Sequence, residues 1–264
     1  MSYEKIIYEK KDGVGIITFN SPKNRNAMSK QFMKDMHSCL DEARYDDEVK
    51  VLILTGGPKW FASGIDLKEA QSDPMNRKDA DIGRGYFRKL QHFPKPVIAA
   101  VSGACVAGGC ETLVCCDMCI ASDTSYFGLS EILFGALAAG GAIHRLPRLI
   151  GVFKAKELLF LGENIDVQEA YRIGLVNKIT SVDGLMDEAM VFGKKLASLS
   201  APAVSLCKFL VNKGLKTDLD TALDFDEYVC TFDNMGTPEQ RLDAIKKAAE
   251  KYKVYGKIFH DTIK

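Results

Sequence analysis

Over the first two thirds of the chain, short apolar runs alternate with amphipathic segments; after that, only amphipathic segments remain. Tyr3 to Glu9 and Val14 to Phe19 are rich in β-branched and aromatic residues, and the Lys-Lys-Asp-Gly between them predicts a hairpin. Asn20 to Ala27 is a polar loop. Ser29 then stands as the N-cap of a helix to about Tyr45, with Phe32, Met36, Cys39, Leu40 and Ala43 on one face. Val49 to Leu54 and Pro96 to Val101 are unbroken apolar runs, the pattern of strands covered on both faces. Lys68 to Arg84 is charged and interrupted by Pro74 and Gly83, and reads as a mobile surface segment. A helix from about Gly109 to Cys115 and a strand from Met118 to Ala121 follow.

Further along, Lys154 to Leu161 and Ala170 to Ile173 read as helices and Leu175 to Ile179 as a strand. From Asp183 the strand signal stops. Leu185 to Leu199, Val204 to Lys213, Leu219 to Phe232 and about Pro238 to Tyr252 read as helices. Their stripes (Leu219, Ala222, Leu223, Val229, Phe232; Leu242, Ile245, Tyr252) are more apolar than one subunit needs. The expected organisation is an α/β core over residues 1–182 and a helical, oligomer-forming region over 183–264.

Composition narrows the choice of function. The 264 residues are 47% hydrophobic and 27% charged, ordinary for a globular protein. Lys+Arg and Asp+Glu are both 35, so the basic excess of a general nucleic-acid binder is missing. The opening MSYEKIIYEKK has no apolar signal core, Pro96 to Cys110 is too short to span a bilayer, and the final Asp-Thr-Ile-Lys is no peroxisomal tripeptide. A cytoplasmic protein with no membrane partner is expected. Five of the eight cysteines fall between Cys105 and Cys119 in apolar sequence, which predicts buried, reduced thiols rather than a metal site.

Chemistry concentrates in two places. Gly108 and Gly109 lie between a buried strand and a helix, where they serve either close packing or a backbone N–H site for an oxyanion. Glu111 and Glu131 lie in apolar, glycine-rich stretches where an unpaired carboxylate is costly. Each alone is compatible with an acid favoured near a helix N-terminus. Together, two buried carboxyls whose mutual repulsion retains one proton suit general acid–base work.

Several segments stand in a fixed order: Asn24-Arg25-Asn26-Ala27, Phe61 to Lys68 (FASGIDLK), Pro94 to Ala99, Val106 to Glu111 (VAGGCE), Cys116-Asp117, Phe127 to Glu131 and Arg145-Leu146-Pro147-Arg148. In this order and spacing the chain closely resembles the enoyl-CoA hydratase/isomerase (crotonase) superfamily over about residues 5–180, and more loosely to the end. The resemblance implies an α/β fold: a spiral of ββα units forming two roughly perpendicular sheets, then a helical C-terminal region that drives trimers or hexamers. It implies reversible hydration of a 2-enoyl-CoA to a hydroxyacyl-CoA. The N–H groups of Ile65 and Gly108 would hold the thioester carbonyl, Glu111 would activate water, and Glu131 would give a proton to carbon. Lys23, Arg25 and Lys68, with Ala27 in the same loops, would bind the CoA, which comes as part of the substrate. No metal and no redox cofactor are implied. Asp66 and Asp117 are expected to close loops.

One run departs from the family pattern. Ala138 to Leu146 (AAGGAIHRL) stands where a run resembling PGAGGTQRL is common, and Ser130 stands where proline is frequent. These positions border the acyl pocket in the family, so a bulky or cyclic acyl group is expected, with Ala142 on the pocket wall. His144 reads as a helix-surface or core histidine ahead of a third catalytic group. The alternatives are an enoyl-CoA isomerase or a cyclic acyl-CoA hydrolase of the same fold. A further one, from another class, is a non-catalytic acyl-CoA-binding module.

Overall fold

Asp12 and Gly13 both have positive φ (53° and 79°), the two-residue turn whose twist matches that of a hairpin. It joins β1 (Ile6–Lys11) to β2 (Val14–Phe19), antiparallel, as the sequence predicts. The structure is a computed structural model that describes residues 2–73 and 77–231. In α1 (Lys30–Tyr45) the cap Ser29 accepts the Phe32 N–H at 3.1 Å. From there the chain lays down strands in pairs. β3 (Val51–Thr55) precedes β4 (Trp60–Ala62), and after α2 (Leu67–Ser72) and α3 (Arg77–Gln91) come β5 (Val97–Val101) and β6 (Ala104–Val106). Then α4 (Gly108–Leu113) leads to β7 (Met118–Ser122) and β8 (Tyr126–Gly128). The remainder is α5 (Ala142–Ile150), α6 (Val152–Leu161), β9 (Ile165–Asp166), α7 (Val167–Arg172), β10 (Lys178–Thr180), α8 (Leu185–Ala197), α9 (Ala201–Gly214) and α10 (Leu219–Thr231).

The first strand of each pair joins a six-stranded sheet of order β1-β2-β3-β5-β7-β10; the second joins a four-stranded sheet of order β4-β6-β8-β9. Each ββα turn therefore adds one strand to both sheets, the spiral implied by the resemblance. β3 shows how the larger sheet is covered. Val51 and Ile53 face α8, packing with Val14, Ile98, Leu185 and Ala189, while Leu52 and Leu54 face the main core with Phe32, Met36 and Phe61. Both faces are apolar, so the strand reads as a continuous run.

The structure corrects several expectations. Lys68 to Arg84, expected without regular structure, lies largely within the helices α2 and α3 where it is described, and α3 goes on to bury Tyr86, Phe87 and Leu90. The charges of its first turns hide that stripe. The short strands β4, β6, β8 and β9 carry no alternation long enough to read, and β10 begins at Lys178 rather than Leu175. By contacts the chain divides after Ser198 rather than at residue 182, because α8 covers one face of the larger sheet. In the second unit α9 and α10 pack on each other. The helix expected at Pro238 to Tyr252, with Leu242 and Ile245, lies outside the described residues, as does Phe232. Cys39, Cys105, Cys110, Cys115 and Cys119 are buried free thiols, and burial pushes Cys115 up to about 12. Among the described residues no helix is long and apolar enough to cross a membrane.

Asn26 is the polar tie that holds the first loop to the sheets. Its Oδ1 accepts the Ser21 N–H, and its Nδ2 donates to the carbonyls of Gly56, Trp60 and Phe61 at 2.8, 2.8 and 3.2 Å. It is 1% exposed and has φ of 51°, which a short amide tolerates better than most side chains. Asn26→Ala is expected to lower the unfolding free energy by about 3 kcal/mol, read as a lower urea midpoint at constant slope. A loss under ~1 kcal/mol would show that water replaces these bonds.

Candidate active site

Two loops from different ββα turns meet at the start of α4. Met28 donates its N–H to the Gly64 carbonyl at 2.7 Å and accepts the Asp66 N–H at 3.3 Å, a single parallel bridge opposite Ile65. That pattern turns the Ile65 N–H away from Met28. Asp66 caps α2 by accepting the N–H groups of Lys68 and Glu69, both at 3.1 Å, which closes this loop as expected. Asp117 does the same beside β5, accepting the Val97 N–H at 2.7 Å.

The second loop is pressed against the first. A Cβ on Gly64 would lie 2.7 Å from Ala107 Cβ and 3.0 Å from Gly108 N, and one on Gly108 would lie 2.8 Å from Met28 Sδ. Glycine at both places is what lets the Ile65 and Gly108 amides come near each other. Ala107 has φ 49° and ψ −125°, a conformation that costs an L-residue about 1–3 kcal/mol. It is held there by its N–H to the Gly128 carbonyl (2.9 Å) and its carbonyl to the Glu111 N–H (3.0 Å). Gly108 is the first residue of α4, so its N–H has no acceptor within the helix. Gly109 has the other role left open by the sequence: a Cβ there would strike the Ala62 carbonyl oxygen at 2.2 Å, so it serves packing.

Glu111, one turn further on, is 6% exposed. Burial, and next the charge of Glu131, push its carboxyl up to about 7; the N–H groups of Ala142 and Gly140 and the charge of Arg145 pull it down. Glu131 stands in a 3-10 turn, Ser130–Phe134, and burial raises it as well. Ser130 makes no cap here; Leu129 occupies that position. Glu111 Oε1 and Glu131 Oε2 are both buried without a hydrogen-bond partner among the described residues. The structure thus brings the two acids into electrostatic contact, each with an oxygen still to be satisfied.

The cations lie on the first loop and on α2. Lys23, Arg25 and Lys68 are exposed and Ala27 is half-buried. The Arg25 guanidinium stands over the Trp60 ring, 5.1 Å from its centroid, while Lys23 is on the Pro22–Asn24 turn and Lys68 in the first turn of α2. In the altered run the Ala142 methyl is fully buried in the core, which differs from the expected placement on a pocket wall, while His144 is exposed on α5, in line with the helix-surface reading. What this run turns toward Glu111 is backbone, which a side-chain reading misses; the Gly140-Gly141 pair just before a helix is the signal that could have found it.

The raised carboxyl has a cost in stability. Its folded value lies above that of the unfolded chain, so the folded state holds the extra proton and stability falls as pH rises from about 4.5 to about 7. Above that range the deficit is on the order of 3 kcal/mol. Glu111→Gln, which cannot ionise, is therefore expected to melt higher than the parent at pH 8, with the gap closing toward pH 4.5. Equal melting temperatures at pH 8 would contradict the buried-charge account.

Known proteins resemble this chain in sequence and in fold. The sequence model of the family described as enoyl-CoA hydratase/isomerase matches residues 9–255. A short-chain-enoyl-CoA hydratase of Clostridium acetobutylicum is 39% identical over 261 residues, 97% of this chain and 98% of the relative. A crotonyl-CoA hydratase of Syntrophomonas wolfei is 37% identical, covering 86% of this chain and 88% of the relative. The crystal structure of an enoyl-CoA hydratase from Bacillus anthracis superposes with a TM-score of 0.87 at 32% identity, over 94% of this chain and 97% of that one. With the spiral, the apposed glycine loops and the acid pair in place, this chain belongs to the enoyl-CoA hydratase/isomerase family and has the crotonase fold.

Proposed function

We propose that this protein reversibly adds water to a 2-enoyl-CoA, with Glu111 and Glu131 as the acid–base pair and the Ile65 and Gly108 amides as the oxyanion site. The observation that carries the reading is the pairing of buried Glu111 with half-buried Glu131, each with one buried oxygen lacking a partner among the described residues, behind two apposed backbone amides. Glu111, ionised, takes a proton from water as the oxygen attacks the β-carbon. The C=C electrons move onto the thioester oxygen, where the two amides stabilise the charge. As the carbonyl re-forms, protonated Glu131 gives its proton to the α-carbon. One acid gains a proton and the other loses one, so the pair resets by exchange. The reaction is redox-neutral and calls for no metal; CoA enters and leaves with the acyl group. Arg25, Lys23 and Lys68 suit its phosphates, with Ala27 beside them.

The expectation of a bulky or cyclic acyl group leans on the altered run up to His144, in which Ala142 is fully buried and His144 is exposed on α5. The relatives named for short-chain and crotonyl substrates support a short linear chain instead. Exposed apolar faces support assembly into a trimer or hexamer: Val152, Phe153, Phe160 and Leu161 on α6 are 54% to 92% exposed, and Leu219 and Leu223 on α10 71% and 53%.

The first test is loss of enoyl-thioester absorbance with water as the sole co-substrate, and identification of the product. A 3-hydroxyacyl-CoA is expected; a shifted double bond or free acid would point to the isomerase or hydrolase. Glu111→Gln and Glu131→Gln should each cost about a hundredfold or more in kcat, and the double variant far less than the product of the two. Crotonyl-CoA should be turned over at least as fast as branched or cyclic enoyl-CoA substrates, and faster cyclic turnover would restore the bulky reading. Light scattering should give a trimeric or hexameric mass; a fully active monomer would contradict the assembly.

A further inference from the structure

Arg145 lies in the first turn of α5, half-buried behind Glu111. Its Nη1 donates to the Gly140 carbonyl and its Nη2 to Gln91 Oε1, the last residue of α3, both at 2.7 Å. Nε is buried and has no partner among the described residues. Both of these acceptors are neutral, so neither cancels the charge of the guanidinium. The contact with the turn is close: a Cβ on Gly141 would lie 2.2 Å from Nη1, and one on Gly140 would lie 2.9 Å from the Glu111 carboxyl carbon. One turn of backbone thus has Arg145 on its carbonyl side and Glu111 on its N–H side.

We infer that Arg145 is a positioning residue for Glu111. Through the Gly140 carbonyl it fixes the turn whose amides face the carboxyl, and through its uncancelled charge it favours the carboxylate over the acid. The inference rests on the functional reading above, in which Glu111 works as a base. Its physical need is plain. Burial and Glu131 both favour the protonated acid, and against them, among the described residues, stand the amides of Ala142 and Gly140 and this cation. The other groups facing Glu111 do not help. Cys115, in the turn just past the end of α4, is a buried thiol kept neutral, and Phe87 of α3, against Gly140, is apolar. A glutamine at position 91 matters in the same way: it fills the second arm of the fork without neutralising it, as a carboxylate there would.

The test uses the pH dependence of kcat/KM on crotonyl-CoA, with thermal unfolding as the check on folding. Gln91→Glu keeps a hydrogen-bond acceptor but cancels the charge, and should move the acidic limb upward by about half a pH unit or more. Arg145→Met should move it in the same direction and lower kcat about tenfold or more. Arg145→Lys keeps the charge but not the fork; it should lower kcat while leaving the acidic limb in place. A merely structural residue would lower activity in all three without moving the limb, and that result overturns the inference. If Arg145→Met does not fold, Gln91→Glu alone decides. Glu111→Gln separates the two levels of argument. If it stays active, the functional reading fails; if it is inactive while the limb is unmoved in Gln91→Glu, only the role of Arg145 fails.

Discussion

A carboxylate taken out of water must be stabilised by whatever surrounds it, and the surroundings of Glu111 come from four separate parts of the chain. Its own helix α4 starts at the strained Ala107, the 3-10 turn brings Glu131, the Gly140 turn brings two amides, and α3 supplies Phe87 and Gln91. None of these is adjacent in sequence. They meet because each ββα turn places one strand in each sheet, so loops from successive turns stack at the same place. The raised carboxyl is the outcome: burial and a like charge hold it near neutrality, where a group can both take and return a proton.

The proposed oxyanion site depends on the same stacking. The Ile65 amide is oriented by the Met28 bridge, and the Gly108 amide by the conformation of Ala107. That conformation is unfavourable by itself and persists because β8 accepts the Ala107 N–H and α4 donates back to its carbonyl. The two glycines allow the loops to touch, and Asn26 anchors the loop that carries Arg25 to the carbonyls around β4. Strain at the site is thus offset by hydrogen bonds in the sheets.

Much of this is legible in the sequence, for physical reasons that also explain what is not. β2, β3, β5 and β7 read well because strands covered on both faces are runs of apolar residues. The second sheet does not, since strands of two or three residues carry no period. In α3 a charged beginning conceals Tyr86, Phe87 and Leu90, which the core needs. Glu111 and Glu131 emerge as a pair only through the ordered motifs around them, because either alone looks like an acid at a helix start. The run at 138–146 is read less well because its side chains draw attention away from its backbone. Its backbone faces the site instead, and Ala142 turns its methyl into the core.

The central claim is geometric: the thioester oxygen belongs between the amides of Ile65 and Gly108, and the β-carbon beside the two glutamates. The most direct measurement is a crystal structure of the protein with a bound 3-hydroxyacyl-CoA. The account predicts the carbonyl oxygen at about 3 Å from both amide nitrogens and the 3-hydroxyl at hydrogen-bond distance from both Glu111 and Glu131. A thioester carbonyl bound elsewhere, or a hydroxyl that reaches neither glutamate, would contradict it.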